Sequence, residues 1–204
     1  MELQWVRKIN GLVGRHIAFD MFMDFIARFG HLAFIFYGLW LWFGGGDEDK
    51  KERRAAALLS LAGVLLCSVI SFGIGRCWER PRPFTRNGKI WNFTGHKPNA
   101  SFPSNHTMNS AVISMVLIGM KMPFRFFMAG MAALLAFTRV FAGIHYPSDL
   151  LGGAAIAFCV YKGVLCRAIS MKAAMAGAGA AALAAEIVRK ACGAYHFIRR
   201  GYGA

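Results

Sequence analysis

The chain has 204 residues, 56% of them hydrophobic, with 24 Lys and Arg against 10 Asp and Glu and a net charge of +14. The length suits one domain, and a mean hydropathy of +0.42 with several long uncharged runs excludes an ordinary soluble fold. Such a basic excess points to nucleic acid in a soluble chain. Here many basic groups sit in short loops between apolar runs, where anionic headgroups attract them, and no nucleic-acid partner is expected.

Residues 1–28 carry Arg7, Lys8, Arg15, Asp20, Asp24 and Arg28 beside an apolar set Phe19, Phe22, Met23 and Ile26 at i, i+3, i+4, i+7. That pattern predicts an amphipathic helix lying at the membrane interface. It has neither the apolar core nor the small-residue cleavage site of a signal peptide. The first span is expected at Phe29–Gly46, followed by a solvated connector at 47–54, Asp-Glu-Asp-Lys-Lys-Glu-Arg-Arg. Ala55–Gly75 gives 21 residues without a charge, a second span. The segment 76–103 holds four of the six prolines and many basic residues, and a loop of that length is usually functional. Further spans are expected from Ser104 to Met120, from Pro123 to Ile144 and from Pro147 to Cys166. Residues 168–204 read as an Ala-rich helix, Ala173–Ala185, with a basic tail. The fold class is therefore all-α: one polytopic membrane bundle, residues 1–204, of five to six transmembrane helices with an N-terminal amphipathic helix. The five cysteines are scattered without a C-x-x-C pair and read as apolar packing residues.

Three polar clusters stand at the mouths of these spans, and alternation puts all three on one side of the bilayer. They are Arg80-Pro81-Arg82-Pro83-Phe84, Pro103-Ser104-Asn105-His106 and the stretch from Thr138-Arg139 to His145 and Asp149. Seven basic residues crowd them, so an anionic substrate is expected. Counting Lys and Arg outside the clusters puts 47–54 and the stretch after Cys166 in the cytoplasm and the clusters outside. Ser104 is placed to cap a helix whose free N–H groups would bind an anion. His145 and Asp149 are four apart, which lets the carboxylate fix the imidazole tautomer and leaves the other nitrogen as a nucleophile. Arg82 and Arg139 supply fork-shaped donors for phosphate oxygens. His145 is expected to attack phosphorus and His106 to protonate the leaving oxygen and then activate water. Ionisable groups at membrane depth are costly to keep without a use. Only Glu79 and Asp149 of the ten acidic residues fall in the clusters, too few for a two-metal site. No tight spacing supports zinc on His96, His106 and His145 either; no metal or other cofactor is expected.

At these residues the sequence resembles the type 2 phosphatidic acid phosphatase superfamily, whose signature is Lys-x6-Arg-Pro, Pro-Ser-x-His and Ser-Arg-x5-His-x3-Asp. Pro103, Ser104 and His106 match the second part. Arg139, His145 and Asp149 match the third with Thr138 in place of Ser. Arg82-Pro83 match the first, but Gly75 stands where the family has Lys, with Arg76 next to it as the substitute. Within the superfamily, Pro81–Phe84, Ala100–Thr107, Gly143–Asp149 and Asn10–Leu12 with Asp20 read like the bacitracin-resistance-type undecaprenyl pyrophosphate phosphatases of bacteria. That resemblance implies a multi-pass enzyme of the bacterial plasma membrane, metal-independent, with an outward-facing site. It implies hydrolysis of undecaprenyl pyrophosphate, a step that recycles the cell-wall lipid carrier. It casts His145 as nucleophile, His106 as general acid and Asp149 as orienting group, with Arg82, Arg139, Ser104 and Arg76 on phosphate. The bilayer itself implies only a polyprenyl or other lipid phosphate substrate among membrane lipids. Two other functions fit less well: a phosphatase or phosphotransferase for phosphatidylglycerol phosphate, phosphatidic acid or lipid A, and a basic membrane transporter.

Overall fold

Uncharged apolar runs broken by Gly, Pro and charge set the helix boundaries. The computed structural model describes residues 1–46 and 48–169 of the protein. The helices are α1 (Glu2–Asn10), α2 (Ile17–Phe43), α3 (Lys50–Cys77), the short α4 (Pro83–Arg86), α5 (Asn105–Gly119), α6 (Arg125–Phe141) and α7 (Pro147–Val160). A π turn, Tyr161–Leu165, carries α7 onward. There is no strand among the described residues. The expected Ala173–Ala185 helix and the basic tail lie outside them.

Two expectations are corrected. Residues 1–28 do not form one interfacial helix. Gly11 and Gly14 interrupt it, Asp20 Oδ2 accepts the Gly14 N–H at 2.8 Å, and the apolar stripe Met23 and Ile26 turns inward as the first turns of a 27-residue α2. Nor is the connector solvated throughout. The run from Lys50 to Arg54 starts α3, as good helix formers can. Arg53 is buried and donates to the Gly46 carbonyl at 2.6 Å. Arg54 donates to the Trp42 carbonyl at 3.2 Å. Two cations thus meet the negative end of α2, where the helix dipole favours them. Gly45, at φ +74°, makes room, because a Cβ there would press on the Arg53 guanidinium.

α5 is the axis of the bundle, packed against α2, α3, α6 and α7. Its Met108, Val112 and Val116, one helical row, meet Leu59 and Cys67 of α3 and Ala157 and Val160 of α7. Leu117 faces the other way, toward Phe34, Leu41, Met128 and Leu135. Ser110 and Ser114 lie in this interior with their hydroxyls bonded to the carbonyls four residues back, each at 2.8 Å, and Ser114 also reaches the Met128 carbonyl of α6 at 3.4 Å. The outer faces of α2, α3 and α6 expose Phe36, Phe43, Leu65, Phe72, Phe126 and Phe127, the apolar surface that a bilayer covers.

Among the described residues, three helices are long and apolar enough to cross a membrane: Ile17–Phe43, Lys50–Cys77 and Pro147–Ile169. α5 and α6 have 15 and 17 residues, about 23 and 26 Å at 1.5 Å per residue, against a hydrocarbon core of about 30 Å. By this measure the expected count of five to six spans is not confirmed among the described residues.

The α3–α5 contact is close enough to test. A Cβ on Gly63 would stand 2.9 Å from Val112 Cγ2 and 3.0 Å from Leu165 Cδ1. Gly63→Leu is expected to cost about 1–3 kcal/mol and lower Tm in detergent. Gly38→Ala, where a Cβ meets nothing within 4 Å, should leave Tm unchanged or raise it.

Candidate active site

The site is built where three chain segments meet at the end of α5. Pro147 at the start of α7 fixes the backbone for a helix, and Asp149, in the first turn, accepts the Tyr146 N–H on Oδ2 at 2.8 Å. That bond caps α7. It also buries the carboxylate, which is fully inaccessible. Oδ2 takes the Ser101 hydroxyl as well and lies 3.4 Å from His145 Nδ1; Oδ1 accepts from Arg80 Nη1 at 2.6 Å.

His145 sits between α6 and α7, 3% exposed. The turn that carries it needs Gly143 at φ +70°, where a Cβ would collide with Ile90 and stand 3.1 Å from Asn10 Nδ2. Arg82 Nη1 lies 3.1 Å from His145 Nε2. A guanidinium can only donate, so Nε2 accepts and the ring proton is on Nδ1, toward Asp149. This is the nucleophilic tautomer, with its lone pair held against a cation.

Arg82 is buried and fixed by three further bonds. Nε donates to Asn99 Oδ1 at 3.0 Å, Nη1 to the Ile144 carbonyl at 2.8 Å and Nη2 to the Ala100 carbonyl at 3.0 Å. Burial lowers its pKa to about 10, which leaves it charged at neutral pH. Burial also pushes His145 down, to about 4; Arg82 and Arg139 act in the same direction, against the bond to Asp149. The resting imidazole is therefore neutral at pH 7.

A cavity of about 870 Å³ opens onto this group, lined by Arg76, Arg82, His96, Asn99, His106 and His145 among others. Ser104 stands at the cap position of α5, but its side chain makes no cap bond. Its hydroxyl accepts from Thr107 Oγ1 at 3.0 Å, and its N–H donates to the Asp149 carbonyl at 3.2 Å. The positive end of α5 still opens on the cavity through Pro103, Asn105 and His106. Arg76 lies at the exposed rim, 5.0 Å over the Phe72 ring. At Gly75 an added Cβ meets only Ala100 Cβ, at 3.8 Å, so the position has room for a side chain. Arg139 is buried in α6 and bonds the carbonyls of Ala27 and Leu135. It does not line the cavity among the described residues, although it acts electrostatically on His145. Thr138 is buried, its hydroxyl on the Leu135 carbonyl at 2.7 Å.

His145, Asp149, Arg82 and His106 are thus brought together, with Arg76 at the edge and Arg139 behind. Sequence reasoning missed Arg80, Glu2, Ser101, Asn99 and His31. Arg80 was visible in the Arg-Pro-Arg-Pro run, but nothing there shows which arginine takes the carboxylate. Glu2 is 78 residues from Arg80 and carried no signal. His31 of α2 stands edge-on to His106, ring centres 6.0 Å apart, with Nδ1 buried and unpartnered.

Residues 53–173, more than half of the chain and spanning Arg82, His106, Arg139, His145 and Asp149, match the PAP2 superfamily. The chain belongs to that superfamily. As a PAP2 protein it is a membrane lipid phosphatase. It is 28% identical over 160 residues to undecaprenyl-diphosphatase BcrC of Bacillus subtilis, covering 78% of this chain and 80% of that protein. It is 33% identical over 93 residues to a lipid A 1-phosphatase of Rhizobium etli, covering 45% and 39%. Among solved structures, Aquifex aeolicus LpxE matches with a TM-score of 0.62 at 25% identity, over 81% of this chain and 93% of that one. A PAP2-type phosphatidylglycerolphosphate phosphatase from Bacillus subtilis matches in fold with a TM-score of 0.57 at 21% identity, over 83% and 86%.

The burial of a neutral His145 has a consequence for stability. Its folded pKa, about 4, lies below the ordinary 6.5, so between those values the unfolded chain binds a proton that the folded chain does not. Stability is expected to fall as pH drops from 6.5 toward 4, by an amount on the order of a few kcal/mol. Thermal unfolding in detergent should show a steeper loss over this window for the native chain than for His145→Gln.

Proposed function

We propose that the protein hydrolyses undecaprenyl pyrophosphate to undecaprenyl phosphate and inorganic phosphate without a metal, through a phosphohistidine on His145. The observation that carries this reading is the paired geometry of His145, with Nδ1 facing Asp149 and the Nε2 lone pair held by Arg82 at the cavity wall. An arriving phosphoryl group replaces the Arg82 N–H at that lone pair and gives Arg82 its own oxygens to bond. Nε2 then attacks the terminal phosphorus as the bridging P–O bond breaks. His106 gives its proton to the departing oxygen of the lipid monophosphate. In the second step His106 takes a proton from water, the water oxygen attacks phosphorus, and the P–N bond breaks to free His145 and phosphate. Arg82 and the α5 N-terminus after Ser104, with Arg76 at the rim, hold the charge that develops on the equatorial oxygens, and Arg139 adds its field from behind the wall. The pyrophosphate is favoured because the likeness to BcrC spans most of both chains, whereas the lipid A 1-phosphatase match covers under half of each. In this reading the protein lies in the bacterial plasma membrane with its cavity outward and returns the lipid carrier to cell-wall synthesis.

Purified protein with excess EDTA, compared on undecaprenyl pyrophosphate, phosphatidylglycerol phosphate, phosphatidic acid and lipid A, tests the proposal. Strong preference for the pyrophosphate is expected, with activity unaffected by EDTA and reduced at least about 10³-fold in His145→Ala. Preference for a glycerolipid or lipid A would keep the chemistry and overturn the substrate. Rapid alkaline quenching of labelled substrate should trap an acid-labile phosphoryl group on the native chain and none on His145→Ala.

A further inference from the structure

A second set of charges meets the dyad at Asp149: Arg80, which shares the cavity wall with Arg82, and Glu2, which does not line that wall. Arg80 Nη1 donates to Asp149 Oδ1 at 2.6 Å and to Ser148 Oγ at 2.7 Å. Arg80 Nη2 donates to Glu2 Oε2 at 2.6 Å, and Glu2 Oε1 accepts the Ser148 N–H at 3.2 Å. The guanidinium lies over the Tyr146 ring, 4.2 Å from its centre. One planar group therefore touches a fully buried carboxylate, a half-exposed one and the turn that bears His145.

Glu2 is presented by a helix fixed along its length. At the C-terminal end of α1, Asn10 Nδ2 donates to the carbonyls of Phe141 and Trp91, each at 2.9 Å, and Oδ1 accepts the Trp91 N–H at 2.8 Å. In the middle, Val6 is fully buried against Ile90, Val140 and Tyr146. Burial works against the Glu2 charge, but the bonds from Ser148 and Arg80 hold its carboxyl below the usual range. All of α1 lies outside the residues matched to the PAP2 superfamily.

Charge bookkeeping gives this arrangement a use. Asp149 and Arg80 alone would be neutral, and a carboxylate so neutralised does little for an imidazole that becomes positive as Nε2 attacks phosphorus. Glu2 restores the set to a net single negative charge while leaving Arg80 in place. We infer that Arg80 and Glu2 are positioning residues for phosphoryl transfer: Arg80 orients Asp149, and Glu2 offsets Arg80 so that Asp149 keeps its pull on His145. The inference rests on His145 being the nucleophile. Other charged or titratable groups face His145 from Arg82 before α4, His106 of α5, Arg139 of α6 and Asp149 of α7, with His31 of α2 beyond His106. All are unchanged in the variants below.

The test is the pH dependence of kcat and kcat/KM for the full chain in detergent, with farnesyl pyrophosphate as probe, from about pH 3.5 to 7. Glu2→Gln should make the site more positive and move the acidic limb to lower pH by about half a unit. Arg80→Gln should free Asp149 to favour the imidazolium and move the limb to higher pH by a similar amount. Each should lower kcat about 10- to 100-fold with KM changed about twofold or less. Arg80→Lys keeps the charge without the fork, so its limb should stay near the native position with part of kcat restored. Opposite shifts support the inference. Unshifted limbs with only a lower Tm would make the pair a structural staple and overturn it. Should Arg80→Gln not fold, Glu2→Gln, at a half-exposed position, decides alone by its direction. Activity surviving in His145→Ala would instead sink the nucleophile reading on which all of this stands.

Discussion

The structure turns on a carboxylate with no exposure to water. An ionised Asp149 in the interior of a membrane bundle is tolerable only if its lone pairs are occupied. Four donors reach it, from Arg80, Ser101, Tyr146 and His145. These residues come from the linker after α3, the loop before α5 and the turn before α7. Satisfying one buried charge therefore fixes three otherwise separate segments with respect to each other. The same bonds set the tautomer of His145, so the demands of folding and of chemistry are met by one group.

Around that carboxylate, positive charge is graded by what each arginine is attached to. Arg82 is buried and held by carbonyls and Asn99, so its guanidinium is fixed at the cavity wall before any ligand arrives. Arg80 belongs to Asp149 and Glu2. Arg139 is tied to carbonyls of α2 and α6, and Arg76 stands at the rim over Phe72. Membership in the PAP2 superfamily makes the protein a lipid phosphatase, and this basic cavity is where we propose that the lipid phosphate binds. Ser68, Ser71 and Phe72 line the same cavity and belong to none of the three sequence clusters.

The N-terminal segment gains most from being seen in three dimensions. Read as a sequence, residues 1–28 are an amphipathic stretch, and their charges look like an interfacial face. Folded, the first ten residues pack as a separate helix and brace the turn of His145, through Asn10 at one end and Glu2 at the other. The remainder becomes the start of α2. The Gly11–Gly14 break is legible in the sequence, but its meaning depends on what Asn10 and Glu2 reach, and those partners are distant in the chain.

The sequence by itself determined the all-helical membrane class, the positions of α3, α5, α6 and α7 to within a few residues, and the convergence of Arg82, His106, His145 and Asp149. Apolar run length and i, i+4 spacing are local properties, and the bilayer makes them nearly binding because an unpaired backbone group inside it is so costly. The span count was less secure, because α5 and α6 sit below the length at which composition alone decides. Tertiary structure alone decided which arginine of Arg80-Pro81-Arg82 takes the carboxylate and which takes the lone pair of His145. It alone brought Glu2, Ser101 and His31 to the site and withdrew Arg139 from the cavity wall. Those choices depend on hydrogen-bond geometry between segments up to 146 residues apart, and no local pattern encodes the direction in which a side chain finds such a partner.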